Sequence, residues 1–325
     1  MQKYNRRDFL KTTGLITAGL LAPWACSTEK SSTKTNVLFI AVDDLRPDLG
    51  CYGHDYIKSP NIDRIAQNGL LFERAYCQQA ICMASRASLM SGYRPDKGKI
   101  YNNGPLFKHV PDALSLNQHF INNGYEAASM GKIYSYLSDC ENGWSCNDFQ
   151  PVGKWHGRGY LSKEAKHLVR EYLEKHPNTK GKGIGPAFES PDVPDEAYPD
   201  GLIANNAIKE LNQLKYKPFF IAVGFKKPHL PFNAPKKYWD MYPENQIEPA
   251  KNPFAPKGMP KEALTNWDEL RRYHGIPKNG PIPDDLARKL IHGYCACISY
   301  TDAMIGKVLN ELERLDLSKN TIVVL

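Results

Sequence analysis

The chain has 325 residues, of which 42% are hydrophobic and 24% are charged, enough apolar material for one large domain or two smaller ones. Its formal net charge is +7. The first 26 residues carry +3 of this, from Lys3, Arg6, Arg7 and Lys11 against Asp8. The +4 that remains contains no dense Lys/Arg block, which argues against nucleic acid as a partner and is compatible with an anionic small molecule or glycan. No apolar run reaches the roughly 18 residues of a membrane span.

The first 26 residues have the order of an export signal: a basic head with Arg6-Arg7-Asp8-Phe9-Leu10-Lys11, an apolar stretch from Gly14 to Ala22, and then Ala25-Cys26. Adjacent arginines followed by Phe-Leu-Lys resemble a twin-arginine signal. Residues 27–35 are polar and are predicted to be a linker, which disfavours an N-terminal helix of the domain as the alternative. We expect an exported, periplasmic or cell-surface protein. Whether Cys26 carries a lipid anchor stays open, because Pro23-Trp24-Ala25 is a poor lipoprotein box.

Alternating strands and helices predict an α/β domain over residues 36–325. Short apolar segments rich in Val, Ile and Phe predict buried strands at Asn36–Val42, Pro218–Val223 and Thr321–Leu325. Helical spacing of apolar residues predicts helices from Pro60 to Gly69 and over Asp112–Asn123, Gly201–Leu214 and Asp285–Leu315. The sheet is expected to be largely parallel, with ligands at the carboxyl ends of its strands. Two loop-rich stretches, Asp139–Ser190 and Tyr238–Pro283, are expected to be insertions.

Eight cysteines occur, at positions 26, 51, 77, 82, 140, 146, 295 and 297. Export permits disulfides, and Cys140 and Cys146 are near enough in sequence to close a small loop. Cys295 and Cys297 are two residues apart on a predicted helix and point to different faces, which favours packed thiols. No Cys/His spacing is typical of a zinc site.

The first predicted strand ends in two carboxylates, Asp43 and Asp44. Adjacent charges of one sign repel each other, and they are costly at the edge of a core unless a cation neutralises them. A hard divalent cation is the natural partner for such oxygen ligands. A solvated turn or a helix cap is an equally good interpretation of the pair by itself.

A second motif, Cys82-Met83-Ala84-Ser85-Arg86, begins a helix of small residues that Gly92 is predicted to end. Cys82 lies near the helix amino end, where the dipole favours negative charge, and Arg86 lies four residues on, on the same face. An anion at position 82 would be stabilised by both, which makes Cys82 a candidate nucleophile. The residues alone favour a buried cysteine with Arg86 paired elsewhere.

The order of several motifs resembles the type I sulfatases, and their iduronate-2-sulfatase branch in particular. The resemblance spans about residues 36 to 325. The motifs that carry it are Asp43-Asp44, Tyr52-Gly53, Ser59-Pro60-Asn61-Ile62-Asp63, Cys82-Met83-Ala84-Ser85-Arg86, Ser91-Gly92-Tyr93-Arg94-Pro95, Gly131-Lys132-Ile133-Tyr134, Pro218–Gly224 and Lys227-Pro228-His229-Leu230-Pro231-Phe232. The family implies an alkaline-phosphatase-like sandwich with a largely parallel central sheet.

The resemblance also implies the chemistry at position 82. Sulfatases oxidise this cysteine to formylglycine, whose hydrate attacks sulfur with one hydroxyl and expels sulfate with the other. The substrate would be a sulfated carbohydrate, and a formylglycine-generating maturase would be a partner. Ala84 stands where the usual modification signal has Pro, so conversion of Cys82 depends on a maturase that accepts alanine.

By the same resemblance, Asp43, Asp44 and residue 82 would bind one Ca²⁺ ion, and Arg86 would steady the diol and the cation-bound oxygens. Together they cannot supply the roughly six to eight oxygens that Ca²⁺ takes.

The resemblance makes Lys132 and His229 clamps on the sulfate oxygens, with His229 also a candidate acid for the departing sugar oxygen. Lys227 is a weaker candidate. Ser135 stands where this branch commonly has a histidine, so one contact to sulfate or sugar differs here, and the sugar itself stays open.

The last residues read as a core strand, so we expect the front part of a sulfatase with a sheet that is incomplete at its carboxyl end. A truncated, inactive glycan-binding remnant is therefore one alternative to an active sulfatase. A phosphate-ester hydrolase of the same superfamily is another, although that class generally uses Thr or Ser where this chain has Cys82.

Overall fold

The computed structural model describes residues 34–101, 105–135, 139, 143–151, 159–179, 184–266 and 268–325. The predicted export signal, most of the predicted linker and Cys140 lie outside these ranges. Residues Thr35–Leu325 pack as one unit, so the strands and helices predicted within residues 36–325 share one fold.

The central sheet has five parallel strands in the order β3-β2-β5-β1-β7, which confirms the predicted α/β class. A separate pair of short parallel strands, β4 and β6, lies outside it. The strands are β1 (Asn36–Val42), β2 (Glu126–Gly131), β3 (Asp148–Phe149), β4 (Phe188–Glu189), β5 (Phe219–Phe225), β6 (Phe232–Asn233) and β7 (Thr321–Val324). The three strands predicted from sequence are β1, β5 and β7, and β5 continues two residues past the predicted end.

Ten α-helices lie among the described residues. They are α1 (Pro60–Gln67), α2 (Cys82–Ser91), α3 (Pro95–Gly98), α4 (Leu106–His109), α5 (Leu116–Asn122), α6 (Lys163–Lys175), α7 (Pro199–Leu214), α8 (Lys236–Trp239), α9 (Asp268–Arg271) and α10 (Asp284–Arg314). The predicted start at Asp112 was wrong, because the chain still forms a turn there, in which Ala113 N–H donates to Val110 O at 3.1 Å. Helix α5 begins only after Ser115.

Strand β5 is buried on both faces, which explains its continuous apolar sequence. Phe219, Ile221 and Val223 belong to the larger hydrophobic cluster, which also contains buried side chains of α7 and α10. Phe220 and Ala222 belong to a second cluster, which contains Ala84 and Ala87 of α2. Because successive strand residues point to opposite faces, the sheet is the middle layer between two sets of helices.

Helix α1 is attached to the long helix α10 through one buried carboxylate. Asp302 of α10 accepts hydrogen bonds from the main-chain N–H groups of Asn61 (3.0 Å) and Ile62 (2.8 Å) in the first turn of α1. Its other oxygen accepts from Asn61 Nδ2 at 2.8 Å. Burial nevertheless raises the pKa of Asp302 to about 6, against the lowering effect of these bonds. Asp302 therefore supplies the cap that α1 lacks from its own Ser59.

The described cysteines, at positions 51, 77, 82, 146, 295 and 297, are all free thiols. Cys295 and Cys297 are buried in α10, as expected for packed thiols, and burial raises the pKa of each to about 12. The Cys146 thiol lies 3.0 Å from Glu126 Oε2. In the described part of the chain, no helix is long and apolar enough to cross a membrane.

Candidate functional site

Three neighbouring strands end at the same edge of the sheet, and each leads into a charged segment. β1 leads into Asp43, β2 into Lys132 and β5 into Lys226. The strand ladder continues one residue past β1 and β2, since Asp43 N–H donates to Phe225 O (3.1 Å) and Lys132 N–H donates to Gly224 O (2.8 Å). The parallel register therefore brings the first charged residues of these segments together, at the edge of the sheet where ligands were expected.

Glycine is required where β2 and β5 end. Gly131 has a φ of +76°, and an added Cβ would lie 2.3 Å from Gly224 O and 2.4 Å from Ile203 Cδ1. A Cβ on Gly224 would lie 2.1 Å from the carbonyl oxygen of Lys132. Lys132 is thus placed by a close approach of two backbones that no side chain permits.

Asp43 is the centre of a buried charge cluster, with only 2% of the residue exposed. Its Oδ1 accepts from Arg86 Nη2 at 3.1 Å, and its Oδ2 pairs with Lys132 Nζ. Burial alone would raise the pKa of Asp43, but Lys132, Arg86 and His229 lower it, and the pKa ends below its ordinary value. Asp43 is therefore an anion at neutral pH, held between two cations.

Asp44 behaves differently from its neighbour. Its φ is +59°, a left-handed conformation that aspartate tolerates better than most residues. Its main-chain oxygen accepts from the Tyr294 hydroxyl at 2.8 Å, and its half-exposed carboxylate lies 3.8 Å from His229 Nε2. Partial burial raises the pKa of Asp44; Asp43 and Glu269 add to this, while His229 and Lys132 oppose it. The positive groups around Asp44 thus offset the negative charge of its carboxylate only in part.

Helix α2 begins at Cys82, and no side chain caps its amino end. Arg86, one turn later, is buried, and its guanidinium also donates to the carbonyl oxygens of Lys132 and of Ile133, the latter at 3.1 Å. The planar guanidinium thereby fixes α2 to the ends of β1 and β2. The structure confirms a helix from Cys82 to Ser91 with Gly92 in the left-handed region after it.

His229 lies in the loop after β5 and contacts this cluster from another side. Its Nδ1 is 2.6 Å from Leu230 O, and because a carbonyl oxygen only accepts, Nδ1 carries a hydrogen here. Nε2 is the nitrogen that faces Asp44. Lys227, the weaker candidate, contacts the backbone of this loop: its buried ammonium donates to the carbonyl oxygens of His229 (3.1 Å) and Pro231. Lys227 therefore shapes the loop that carries His229.

Sequence reasoning missed two charged residues of this region. Glu269, on α9 in the second predicted insertion, places Oε1 3.4 Å from His229 Nε2. Lys226 follows β5 directly, and burial lowers the pKa of its ammonium to about 8, although Asp200 raises it. Nothing in the sequence signals Glu269, which is 40 positions from His229. Lys226 had a signal, since a lysine at the end of a buried strand lies where ligands bind.

The predicted calcium ligands fit such an ion in kind but not in number. Asp43 and Asp44 offer the hard oxygen donors that Ca²⁺ prefers, and an added cation would neutralise the remaining charge of Asp44. Two carboxylates supply fewer than the roughly six to eight oxygens that Ca²⁺ takes. In the described ranges no group of three or more His, Cys, Asp and Glu side chains could hold a metal ion. Coordination by Asp43, Asp44 and residue 82 stays a prediction.

The sulfatase family model matches residues 35–325. The chain belongs to the sulfatase family. This sulfatase is 34% identical over 337 residues to iduronate 2-sulfatase from Homo sapiens, with 95% of this chain and 58% of the human protein covered. It is 32% identical over 324 residues to a sulfatase from Formosa agariphila, with 91% and 59% covered. The match to iduronate 2-sulfatase confirms the iduronate-2-sulfatase-like branch, and the chain spans about three fifths of the length of both relatives.

Solved structures confirm the fold. The phosphonate monoester hydrolase from Silicibacter pomeroyi is similar with a TM-score of 0.64 at 21% identity, covering 89% of this chain and 61% of that one. A structure solved in complex with its substrate, D-glucosamine-2-N,6-O-disulfate, has a TM-score of 0.61 at 21% identity, covering 90% and 64%. The fold is that of the sulfatases of the alkaline phosphatase superfamily, as the resemblance implied.

Proposed function

We propose that this sulfatase removes sulfate from a sulfated glycan of the kind that iduronate 2-sulfatases act on, with formylglycine at position 82 and a divalent cation at Asp43 and Asp44. One observation carries the proposal: Asp43 joins Arg86, from the helix that begins at Cys82, to Lys132, from the neighbouring strand end. Arg86 and Lys132 thus meet at one of the predicted metal ligands, and Arg86 lies one turn after the predicted nucleophile on the same helix.

The cations of this cluster suit a sulfate ester. Arg86 is fixed by its bonds to Asp43 and to two carbonyl oxygens, so it is already oriented before substrate binds. The Lys132 ammonium has three donors, so it can keep Asp43 and still donate to a sulfate oxygen. Preorganised donors of this kind stabilise the charge that develops during transfer without moving.

Formylglycine would supply a hydrated aldehyde as the nucleophile toward sulfur, and the cation would supply positive charge near the sulfate oxygens. His229 would move the proton. Its Nδ1–H is bound to Leu230 O, which leaves Nε2 to donate to the departing sugar oxygen. The exported location, read from residues 1–26, is part of the same proposal.

The test is expression together with a formylglycine-generating maturase, followed by mass spectrometry of tryptic peptide 75–86, which contains position 82. We expect the mass loss of a thiol exchanged for an aldehyde, and release of sulfate from a 2-O-sulfated uronic acid. Cys82→Ala is the control without a nucleophile. An unconverted thiol in a host that matures another sulfatase, or faster release of phosphate than of sulfate from matched esters, would contradict the proposal.

A further inference from the structure

A carboxylate from the second insertion lies next to the proposed acid of the reaction. Among the described residues, only Asp44 and Glu269 place a carboxylate oxygen within 4.0 Å of His229 Nε2, at 3.8 Å and 3.4 Å. Asp44 belongs to the strand-end cluster described above. Glu269 comes from α9, and 45% of its side chain is exposed. It therefore faces His229 and is still accessible from solvent.

The position of Glu269 relative to His229 is fixed by packing of their sequence neighbours. Leu230, next to His229, is buried in a third hydrophobic cluster, and Leu270, next to Glu269, packs against the same cluster. Tyr273 joins them in that cluster and is only 1% exposed. Because both loops share one core, the approach of Glu269 to His229 is a property of the fold.

The segment that carries Glu269 is also held by its own hydrogen bonds. The Arg271 guanidinium donates to three main-chain oxygens, those of Asn266 (3.1 Å), Pro277 (2.9 Å) and Gly280 (2.7 Å). Lys278 Nζ donates to Arg271 O at 2.7 Å. A guanidinium bound at three points links Asn266, Pro277 and Gly280, so α9, which carries both Arg271 and Glu269, is held in place.

The charges of the site determine which part of the substrate meets Glu269. Arg86, which is buried, and Lys132, whose side chain is 15% exposed, attract the sulfate group, so the sugar points away from them toward the half-exposed carboxylates of Asp44 and Glu269. His229 must reach the oxygen that joins sulfur to the sugar. A carboxylate 3.4 Å from His229 Nε2 then lies beside the substituents on the neighbouring ring carbons. An ionised carboxylate accepts hydrogen bonds and donates none, so it suits a hydroxyl.

We propose that Glu269 is a specificity residue that accepts a hydrogen bond from the free hydroxyl next to the sulfated carbon of the sugar. The proposal rests on the proposed function, because it places a sulfate ester between Arg86, Lys132 and His229. In a 2-O-sulfated hexuronic acid whose C1 is in a glycosidic bond, this hydroxyl is the one on C3. The enzyme would thus recognise the hydroxyl pattern of the sugar as well as its sulfate.

The test measures binding of two ligands to the whole chain, expressed without the maturase so that Cys82 stays a thiol and no turnover occurs. The ligands are the methyl glycoside of a 2-O-sulfated hexuronic acid and its 3-deoxy analogue. The dissociation constant of each is measured by titration calorimetry. Wild type is expected to bind the parent sugar about tenfold more tightly, the usual size of a hydrogen bond to a charged group. Glu269→Ala is expected to bind both sugars equally, and Glu269→Gln to keep part of the preference.

Glu262→Ala is the matched control, since Glu262 is an exposed carboxylate of the same insertion, and it should keep the full preference. Comparing two ligands within each variant cancels a general loss of folded protein. Three results would overturn the assignment: an undiminished preference in Glu269→Ala, an equal loss in Glu262→Ala, or no preference or no binding by wild type. Conversion of Cys82 to formylglycine and hydrolysis of the sulfate ester test the proposed function separately. Failure of one proposal can therefore be distinguished from failure of the other.

Discussion

The Asp43→Asn substitution removes one buried negative charge and keeps the size of the side chain. It leaves Arg86, 3.1 Å away, and Lys132 facing a neutral amide in a region where only 2% of Asp43 is exposed. Breaking a buried ion pair by removing one partner typically costs about 3–5 kcal/mol, because the remaining charge is desolvated without compensation. We expect Asp43→Asn to lower the free energy of unfolding at pH 7 by about this amount.

The pH dependence of the free energy of unfolding tests the sign of this effect independently. The pKa of Asp43 lies below its ordinary value of 3.8 in the folded protein, so its charge stabilises the fold above that pH. This stability is lost as the pH falls through the folded pKa. The difference between wild type and Asp43→Asn should therefore be constant near neutrality and shrink on acidification below about pH 4. Urea unfolding followed by tryptophan fluorescence, in buffer with a chelator, measures it.

Asp44→Asn is the control, because it removes the neighbouring carboxylate from a different environment. Asp44 is half-exposed and its pKa is raised, so its charge is not needed by the fold. We expect its free energy of unfolding to stay within about 0.5 kcal/mol of wild type without metal. If Asp44→Asn were as destabilising as Asp43→Asn, or Asp43→Asn were harmless, the account of the buried cluster would be wrong.

Three further predictions concern the scaffold. Burial raises the pKa of Asp302 to about 6, against 3.8 ordinarily. Its contribution to the free energy of unfolding is therefore lost as the pH rises from about 4 to 6, by at most about 3 kcal/mol. Urea titrations should show this loss in wild type and not in Asp302→Asn. Gly131→Ala should lower the free energy of unfolding by about 2–4 kcal/mol, because its Cβ meets Gly224 O at a positive φ. Lys227→Met should cost about 1–3 kcal/mol, because it removes a charged donor from the carbonyl oxygens of His229 and Pro231, and the NMR signals of the His229 ring should shift.

The changes at Gly131 and Lys227 each have a matched control in the chain. Gly275 has a φ of +77° but open space around its Cβ position, so Gly275→Ala measures the backbone strain without the clash. If it cost as much as Gly131→Ala, the close approach would not be the cause. Lys319, which is 90% exposed, serves in the same way for Lys227, and Lys319→Met should leave both stability and the His229 signals unchanged.

The strands with large β-branched or aromatic residues were predictable, and β2 was not. Strands β1, β5 and β7 are dense in Val, Ile and Phe, so their sequences alone favour a buried extended chain. Strand β2 reads Glu-Ala-Ala-Ser-Met-Gly, and its small residues have no strand pattern. It is a strand because β5 and β3 provide hydrogen-bonding partners on both sides, a tertiary cause that local sequence does not contain.

The candidate site likewise has residues that the sequence indicates and residues that only tertiary packing brings in. Asp43 could be assigned to the carboxyl edge of the sheet because it directly follows a predicted strand, whereas Lys132 follows β2 and was identified only through the family resemblance. Arg86 could be assigned to the helix of Cys82 by spacing, but its attachment to Asp43 is a tertiary contact. Glu269 depends on the packing of an insertion against Leu230, and insertions follow no general rule. The part of the site that holds sulfate is thus set by the sheet, whereas the part that meets the sugar is set by loops, which is where substrate specificity can diverge while the chemistry is kept.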